Sequence, residues 1–136
     1  MWEKDAEVNR LEPGKEIINI PMLHSKYLRE LTEHRMASRK INFDLLKMRK
    51  TKFEYYSGKM PKEELEERGW EPFRYTLKSD IVAYIDSDKD IIRLQEKKYY
   101  HDETVMVLES IMKELHSRTF QLRDLIQWEK FVNGAG

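Results

Sequence analysis

The sequence predicts an all-α protein built around two long helices. Charged residues make up 37% of the chain and hydrophobic residues 40%, whereas globular domains average about 25% and about 45–50%. Apolar residues recur at steps of three and four over long stretches, which is the spacing of one helix face. The 136 residues are too few for two well-cored domains. This composition favours long helices that pair along narrow apolar stripes, within the chain or between copies of it.

The first long helix is expected over residues 25–57. Pro21 and Ser25 form a start signal, with Ser25 as the N-cap, and Gly58 with the following Pro61 ends the helix. Its apolar stripe is interrupted by His34, Ser38 and Lys52 and otherwise consists of Tyr27, Leu31, Ile41, Leu45, Met48 and Tyr55. Residues 1–20, with a turn at 13–14, are expected to form a partly ordered N-terminal arm. Residues 21–136 then form a single helical domain.

A connector of short helices is expected over residues 61–86. A helix that begins at Pro61 has acidic residues in its first turn, which suits the helix dipole, and Gly69 stops it. An aromatic segment follows with Trp70, Phe73 and Tyr75. A second short helix is predicted over residues 81–85.

The second long helix is expected over residues of about 88–132. Ser87 followed by Asp90 resembles a capping box, and a sustained 3–4 alternation follows, typical of a coiled-coil seam. We expect this heptad seam to form a subunit interface; its residues are Val105, Leu108, Met112, Leu115, Thr119, Leu122 and Ile126. A hairpin that pairs residues 82–85 with 91–94 is the alternative, but the continuous register favours the helix.

Positive charge is concentrated in the first long helix. Residues 26–52 contain nine basic and three acidic residues, a net charge of +6, although the whole chain is neutral. A helix turns about 100° per residue. On that wheel one sector opposite Leu45 holds Phe43, Arg29 and four residues that we call the basic strip: Arg39, Lys40, Lys47 and Lys50. The acidic residues of the segment lie outside this sector.

A cationic face that carries an aromatic ring suits a polyanionic backbone with unpaired bases. The candidate phosphate-contacting residues are Arg39, Lys40, Lys47, Arg49, Lys50 and Lys52. The candidate base-stacking residues are Phe43, Phe53, Tyr55 and Tyr56. The alternative is a merely solvated charged face, with Phe53, Tyr55 and Tyr56 packed in a core.

Several classes of catalytic site lack support in the sequence. The chain has no cysteine and only five glycines, with no glycine-rich phosphate loop. Asp86, Asp88 and Asp90 resemble the start of a calcium loop, but its glycine and glutamate positions are occupied by isoleucine and lysine. A metal-dependent nuclease that uses His101, Asp102 and the acidic turn is a weaker hypothesis. We therefore expect no enzyme activity, no metal and no cofactor.

The sequence also predicts an intracellular protein. Its longest apolar run is five residues, 81–85, whereas a membrane span needs about 20. The first residues are too charged to open a signal peptide.

Three segments, residues 22–58, 87–91 and 117–131, together follow the pattern of a known family. The most specific signatures are Tyr-Tyr-Ser-Gly at 55–58 and Asp-Lys-Asp at 88–90. With these segments the chain resembles the UvsY family of recombination mediators of T-even-like phages. The family's DNA-contacting pair, two basic residues separated by one, falls on Lys50 and Lys52, here flanked by Arg49 and Thr51. Residues 61–75, the first part of the connector, differ from the family pattern.

The resemblance implies a non-enzymatic protein that binds single-stranded DNA. It implies that the protein loads a RecA-like phage recombinase onto DNA coated by single-strand-binding protein, during phage recombination, repair and replication. It further implies a homo-oligomeric ring, hexamer or heptamer, in the cytoplasm of the infected bacterial host. On this basis residues 21–60 are expected to form a DNA-binding helix, 61–86 the connector and 87–136 an oligomerisation helix. The alternative is an oligomeric helical scaffold that binds only protein partners.

Overall fold

The computed structural model describes residues 1–73 and 77–134, and these residues form helices and no strands. Five α-helices follow one another along this part of the chain: α1 (Trp2–Asp5), α2 (Pro13–Tyr56), α3 (Lys62–Arg68), α4 (Ile81–Asp86) and α5 (Lys89–Val132). A single 3₁₀ turn, Lys78–Asp80, precedes α4. The predicted all-α class with two long helices is thereby confirmed, and the hairpin alternative is wrong. Tyr75 of the expected aromatic connector lies outside the described residues.

Helix α2 begins at Pro13 rather than near Ser25, which corrects the expected start by about three turns. Proline is well suited to the first helical position, because its fixed φ matches the helix and the missing N–H has no intrahelical partner there. Glu16 adds an acidic side chain to the first turn, and its carboxylate accepts a hydrogen bond from the backbone N–H of Asn9 at 3.1 Å. Pro21 lies inside the helix without ending it.

The predicted helix ends are confirmed where glycine adopts positive φ. Gly58 has φ of +74° just after α2, and the backbone N–H of Lys59 returns to the carbonyl of Glu54 at 3.0 Å. Gly69 ends α3 with φ of +68°. In α5 the cap differs from the expected Ser87–Asp90 box. Asp88 accepts hydrogen bonds from the backbone N–H groups of Asp90 and Ile91.

The chain divides into two compact units. Unit 1 comprises Met1–Arg35 with Glu103–Gly136, and unit 2 comprises Met36–Asp102. The core of unit 1 joins side chains of α2 and α5: Leu23, Tyr27, Leu31, Leu108, Ile111 and Leu115. The core of unit 2 joins α2, α4 and the start of α5: Leu45, Ile81, Ile85 and Ile91, with Ile41, Met48, Tyr56 and Leu94 against it.

Within unit 1, the N-terminal residues 2–6 contact side chains of α2 and α5. The ring of Trp2 meets that of the fully buried Tyr27 edge-on, with centroids 5.5 Å apart. The carboxylate of Asp5 accepts hydrogen bonds from the hydroxyl of Tyr27 at 2.7 Å and from the ammonium of Lys26 at 2.6 Å. Buried Arg118 donates to the backbone carbonyls of Asp5 and Ala6. Residues 2–6 therefore pack on this unit.

Within residues 1–73 and 77–134, no helix is both long enough and apolar enough to cross a membrane.

Candidate nucleic-acid interface

The basic strip lies on the exposed side of α2 in unit 2. Its four side chains, Arg39, Lys40, Lys47 and Lys50, are all exposed. No carboxylate of the described residues forms an ion pair with any of them. Leu45, on the opposite side of the helix, is 8% exposed and belongs to the core. The helix thus separates an uncompensated cationic face from an apolar face, as the wheel indicated.

Arg49 and Lys52 lie off the basic strip. The guanidinium of Arg49 is half-buried and pairs with the carboxylate of Asp86 at 2.7 Å. Lys52 is only 3% exposed. Its ammonium lies 3.1 Å from the carboxylate of Asp88 and 2.8 Å from that of Asp90. Because these carboxylates already neutralise Lys52, it has no free charge to offer a phosphate.

The four candidate base-stacking residues also divide into exposed and partly buried side chains. Phe43 is 61% exposed and Phe53 is 46% exposed. Tyr55 and Tyr56 are half-buried in an aromatic cluster with Trp70, Phe73 and Tyr84, whose ring centroids lie 5.0 to 5.8 Å apart. The rings of Phe43 and Phe53 are exposed to solvent, which differs from the alternative interpretation for Phe53. Tyr55 and Tyr56 pack against other aromatic rings, as that interpretation expected for these two residues.

The Tyr55 and Tyr56 hydroxyls tie the connector and α5 to the end of α2. Tyr55 donates to the backbone carbonyl of Glu71 at 2.6 Å. Tyr56 donates to the carboxylate of Asp88, and burial, followed by this hydrogen bond, raises the pKa of the Tyr56 hydroxyl well above its ordinary value. The Tyr56 hydroxyl therefore stays a protonated donor at physiological pH.

Asp88 is the centre of a buried polar cluster formed with Lys52, Tyr56 and Asp90. Burial by itself raises the pKa of the Asp88 carboxyl, but hydrogen bonds from Tyr56, Lys52 and the backbone N–H groups of Ile91 and Asp90 outweigh it and lower the pKa. The ring of Trp70 covers the cluster, with the Lys52 ammonium 3.9 Å from its centroid. Sequence reasoning missed the cluster because Lys52 and Asp88 lie 36 residues apart.

The acidic turn proposed as a metal site is engaged by cations of the chain itself. Asp86 pairs with Arg49, and Asp88 and Asp90 pair with Lys52. Asp102 accepts a hydrogen bond from Lys98 at 2.8 Å. Across the described part of the chain, no three His, Cys, Asp or Glu side chains are grouped so that they could hold a metal ion.

The residues of the heptad seam are used inside unit 1. Leu108 and Leu115 belong to its core, with Val105 and Met112 packed against it. Leu122 is 3% exposed, and Thr119 and Ile126 are half-buried. The seam residues from Val105 to Leu115 thus pack with α2 of the same chain, whereas a role of the seam at a subunit interface stays a prediction.

A family model described as recombination, repair and ssDNA binding protein UvsY matches residues 1–135. The chain belongs to the UvsY family. The family resemblance noted from the sequence is thereby confirmed, and the chain is placed among recombination and repair proteins.

Solved structures show the same fold. The crystal structure of the bacteriophage T4 recombination mediator protein UvsY in lattice type II matches with a TM-score of 0.81 and 22% identity, over 98% of this chain and 92% of that one. Lattice type I gives 0.81 and 22%, over 95% and 93% of the two chains. Lattice type IV gives 0.78 and 20%, over 95% and 91%. A comparison with curated protein sequences gave no significant match.

Proposed function

We propose that this UvsY-family chain binds single-stranded DNA and acts as a recombination mediator. In this role it loads a RecA-like phage recombinase onto DNA coated by single-strand-binding protein, during phage recombination, repair and replication in the cytoplasm of the infected host. The observation that carries the proposal is the exposed, carboxylate-free basic strip on α2. The UvsY family model supports the same function.

The basic strip provides the contacts to the DNA backbone in this proposal. Arg39, Lys40, Lys47 and Lys50 neutralise phosphates and release their counterions, which gives affinity without sequence preference. Phe43 adds a ring on which an unpaired base can stack. Arg49, at the edge of the face, can exchange its pairing with Asp86 for a phosphate, because both side chains are partly exposed. Lys52 is not among the contacts in this proposal, because its ammonium is buried and paired with Asp88 and Asp90.

Assembly into a hexameric or heptameric ring completes the proposal. A ring places many weak sites on one strand, so that each further contact is intramolecular and the overall affinity rises by avidity. The functional partners are then single-stranded DNA, the recombinase, single-strand-binding protein and other copies of the chain.

Salt dependence of binding to oligo(dT) tests the DNA-binding step. For single strands, the logarithm of the affinity falls with the logarithm of salt concentration by about 0.7 per phosphate neutralised. The double variant Lys47→Ala with Lys50→Ala should reduce this slope by about 1.4 per subunit engaged. Lys113→Ala, an exposed lysine of unit 1, is the matched control and should leave the slope unchanged.

An equal slope in the double variant and the wild type would contradict the assignment of the basic strip. A wild-type chain that assembles but retains no oligonucleotide would instead support the protein-only scaffold.

The loading step needs its own assay. Addition of the chain should speed the assembly of a phage recombinase on oligonucleotide already covered by single-strand-binding protein.

A further inference from the structure

A small cleft opens on unit 2 beside the basic strip. Its volume is about 290 Å³, and α2 and α5 both contribute to its lining, which consists of Ser38, Arg39, Asn42, Phe43 and Lys98. Of these five, only Arg39 and Phe43 are candidate DNA-contacting residues by sequence. Asn42 follows Arg39 by about one helical turn, so the two side chains share a face of α2.

Asp102 fixes the polar wall of the cleft. Its carboxylate accepts hydrogen bonds from the hydroxyl of Ser38 and from the ammonium of Lys98, which lies 2.8 Å away. These hydrogen bonds, with that from Lys98 the larger effect, lower the pKa of Asp102. The carboxylate therefore stays ionised at neutral pH and holds Lys98 at the rim, where an ammonium with three N–H donors can still bond to a further acceptor.

The remaining groups present a combination that a nucleotide can satisfy. Phe43 is 61% exposed and offers the face of an aromatic ring, on which any base can stack. Asn42 is exposed and its amide carries both donors and an acceptor. Arg39 supplies a guanidinium that makes no ion pair with the described carboxylates and matches the geometry of a phosphate.

We propose that this cleft holds one nucleotide of single-stranded DNA, with the base stacked on Phe43, the base edge hydrogen-bonded to Asn42, and the phosphate on Arg39 and Lys98. The inference rests on the proposed function and deepens it, because it adds recognition of the base to neutralisation of the backbone. Arg39 carries most of the phosphate contact, since Asp102 balances the charge of Lys98.

An oligonucleotide with abasic sites separates the two kinds of contact. It has the same number of phosphates as oligo(dT) of equal length but no bases to stack. The wild type should bind oligo(dT) about tenfold or more tightly than the abasic strand. Phe43→Leu should abolish this preference while the salt slope on the abasic strand stays unchanged. Leu46→Ala, a neighbouring exposed apolar residue outside the cleft lining, should keep the preference.

Asn42→Ala is the second variant and keeps the test independent of any folding defect in Phe43→Leu. It should weaken binding of oligo(dT) several-fold and leave binding of the abasic strand as it is. Equal wild-type affinity for the two strands, or a preference that survives in both variants, would overturn the nucleotide site. Failure of the wild type to bind either strand would instead contradict the proposed function as a whole.

Discussion

Lys52 is a buried cation whose two carboxylate partners determine what it does. Removing one member of a buried ion pair leaves a charge without a partner in a poorly solvated place, which costs about 3–5 kcal/mol. We therefore expect Lys52→Met to lower the free energy of unfolding by an amount of that order, because Asp88 and Asp90 lose their shared cation. Urea unfolding followed by circular dichroism measures the change.

Lys50→Met is the matched control for this change. It removes the same charge two residues away, from a side chain that is exposed, so the free energy of unfolding should stay within about 0.5 kcal/mol of wild type. Equal stabilities of the two variants would contradict the structural role of Lys52.

Asp88 makes stability depend on acid. Its pKa is lower in the folded chain than the ordinary value of about 3.9 in an unfolded one. The unfolded chain therefore binds the proton first as pH falls, so the contribution of Asp88 is complete above the unfolded pKa and is lost as pH falls through the folded pKa. Asp88→Asn should show a shallower loss of stability from about pH 5 downward, measured by urea unfolding across pH. A slope as steep as that of wild type would contradict this role.

Single residues also show where sequence reasoning succeeds. The helical wheel places Lys52 two turns from Leu45, on the apolar side of α2, and shows that Ser38 and Lys52 interrupt the apolar stripe. The hydrogen-bond and ion-pair partners of Ser38 and Lys52 are not predictable in this way. Asp102, for example, lies 64 residues from Ser38 along the chain. Local periodicity thus predicts which face a side chain occupies, whereas a polar partner on another helix is known only from the fold.

Among the elements, α5 shows that part of a heptad seam can pack against another helix of the same chain. Leu115 is fully buried within unit 1, so Leu115→Ala should cost about 2–5 kcal/mol through lost burial and a cavity. Met106→Ala removes a side chain that is 62% exposed and should change stability little. Thermal unfolding of the two variants tests this. A smaller assembly of full stability in Leu115→Ala would show that the seam does join subunits.

The expected start of α2 is wrong because the expectation treats Pro21 as a helix boundary. A proline inside a helix removes one backbone hydrogen bond and costs about 3 kcal/mol, so Pro21 indicated a boundary. The structure continues through Pro21, and Leu23 and Tyr27 pack in the core of unit 1 immediately beyond it. Burial on a long helix can offset such a local cost, and a window of sequence does not reveal it. The ends at Gly58 and Gly69 were predictable, since their chemistry is local.

For the whole molecule, the basic strip and the heptad seam lie in different units. The basic strip belongs entirely to unit 2, and the heptad seam entirely to unit 1. The resemblance at residues 55–58 and 88–90 predicted the family, and both motifs lie in unit 2. The seam's periodicity predicted a long helix but not its partner, because a second copy and a second helix of the same chain require the same apolar pattern.

Solution mass tests the proposed assembly. Light scattering should give a multiple of the 16.5 kDa chain mass, with or without oligo(dT). Because avidity requires linked sites, dilution below the concentration at which the assembly dissociates should weaken binding of a long oligonucleotide by at least about tenfold. A short oligonucleotide that spans one site should show no such loss. A mass of one chain at all concentrations would contradict the ring.

The position of Trp70 over the Lys52 ammonium provides an intrinsic optical reporter. An indole emits at a wavelength and intensity that depend on adjacent charge and solvent, so detachment of the connector from the end of α2 would alter its fluorescence. Replacement of Trp2 and Trp128 by phenylalanine would isolate this signal. Movements of residues 59–73 during DNA binding could then be followed in real time without attaching a dye.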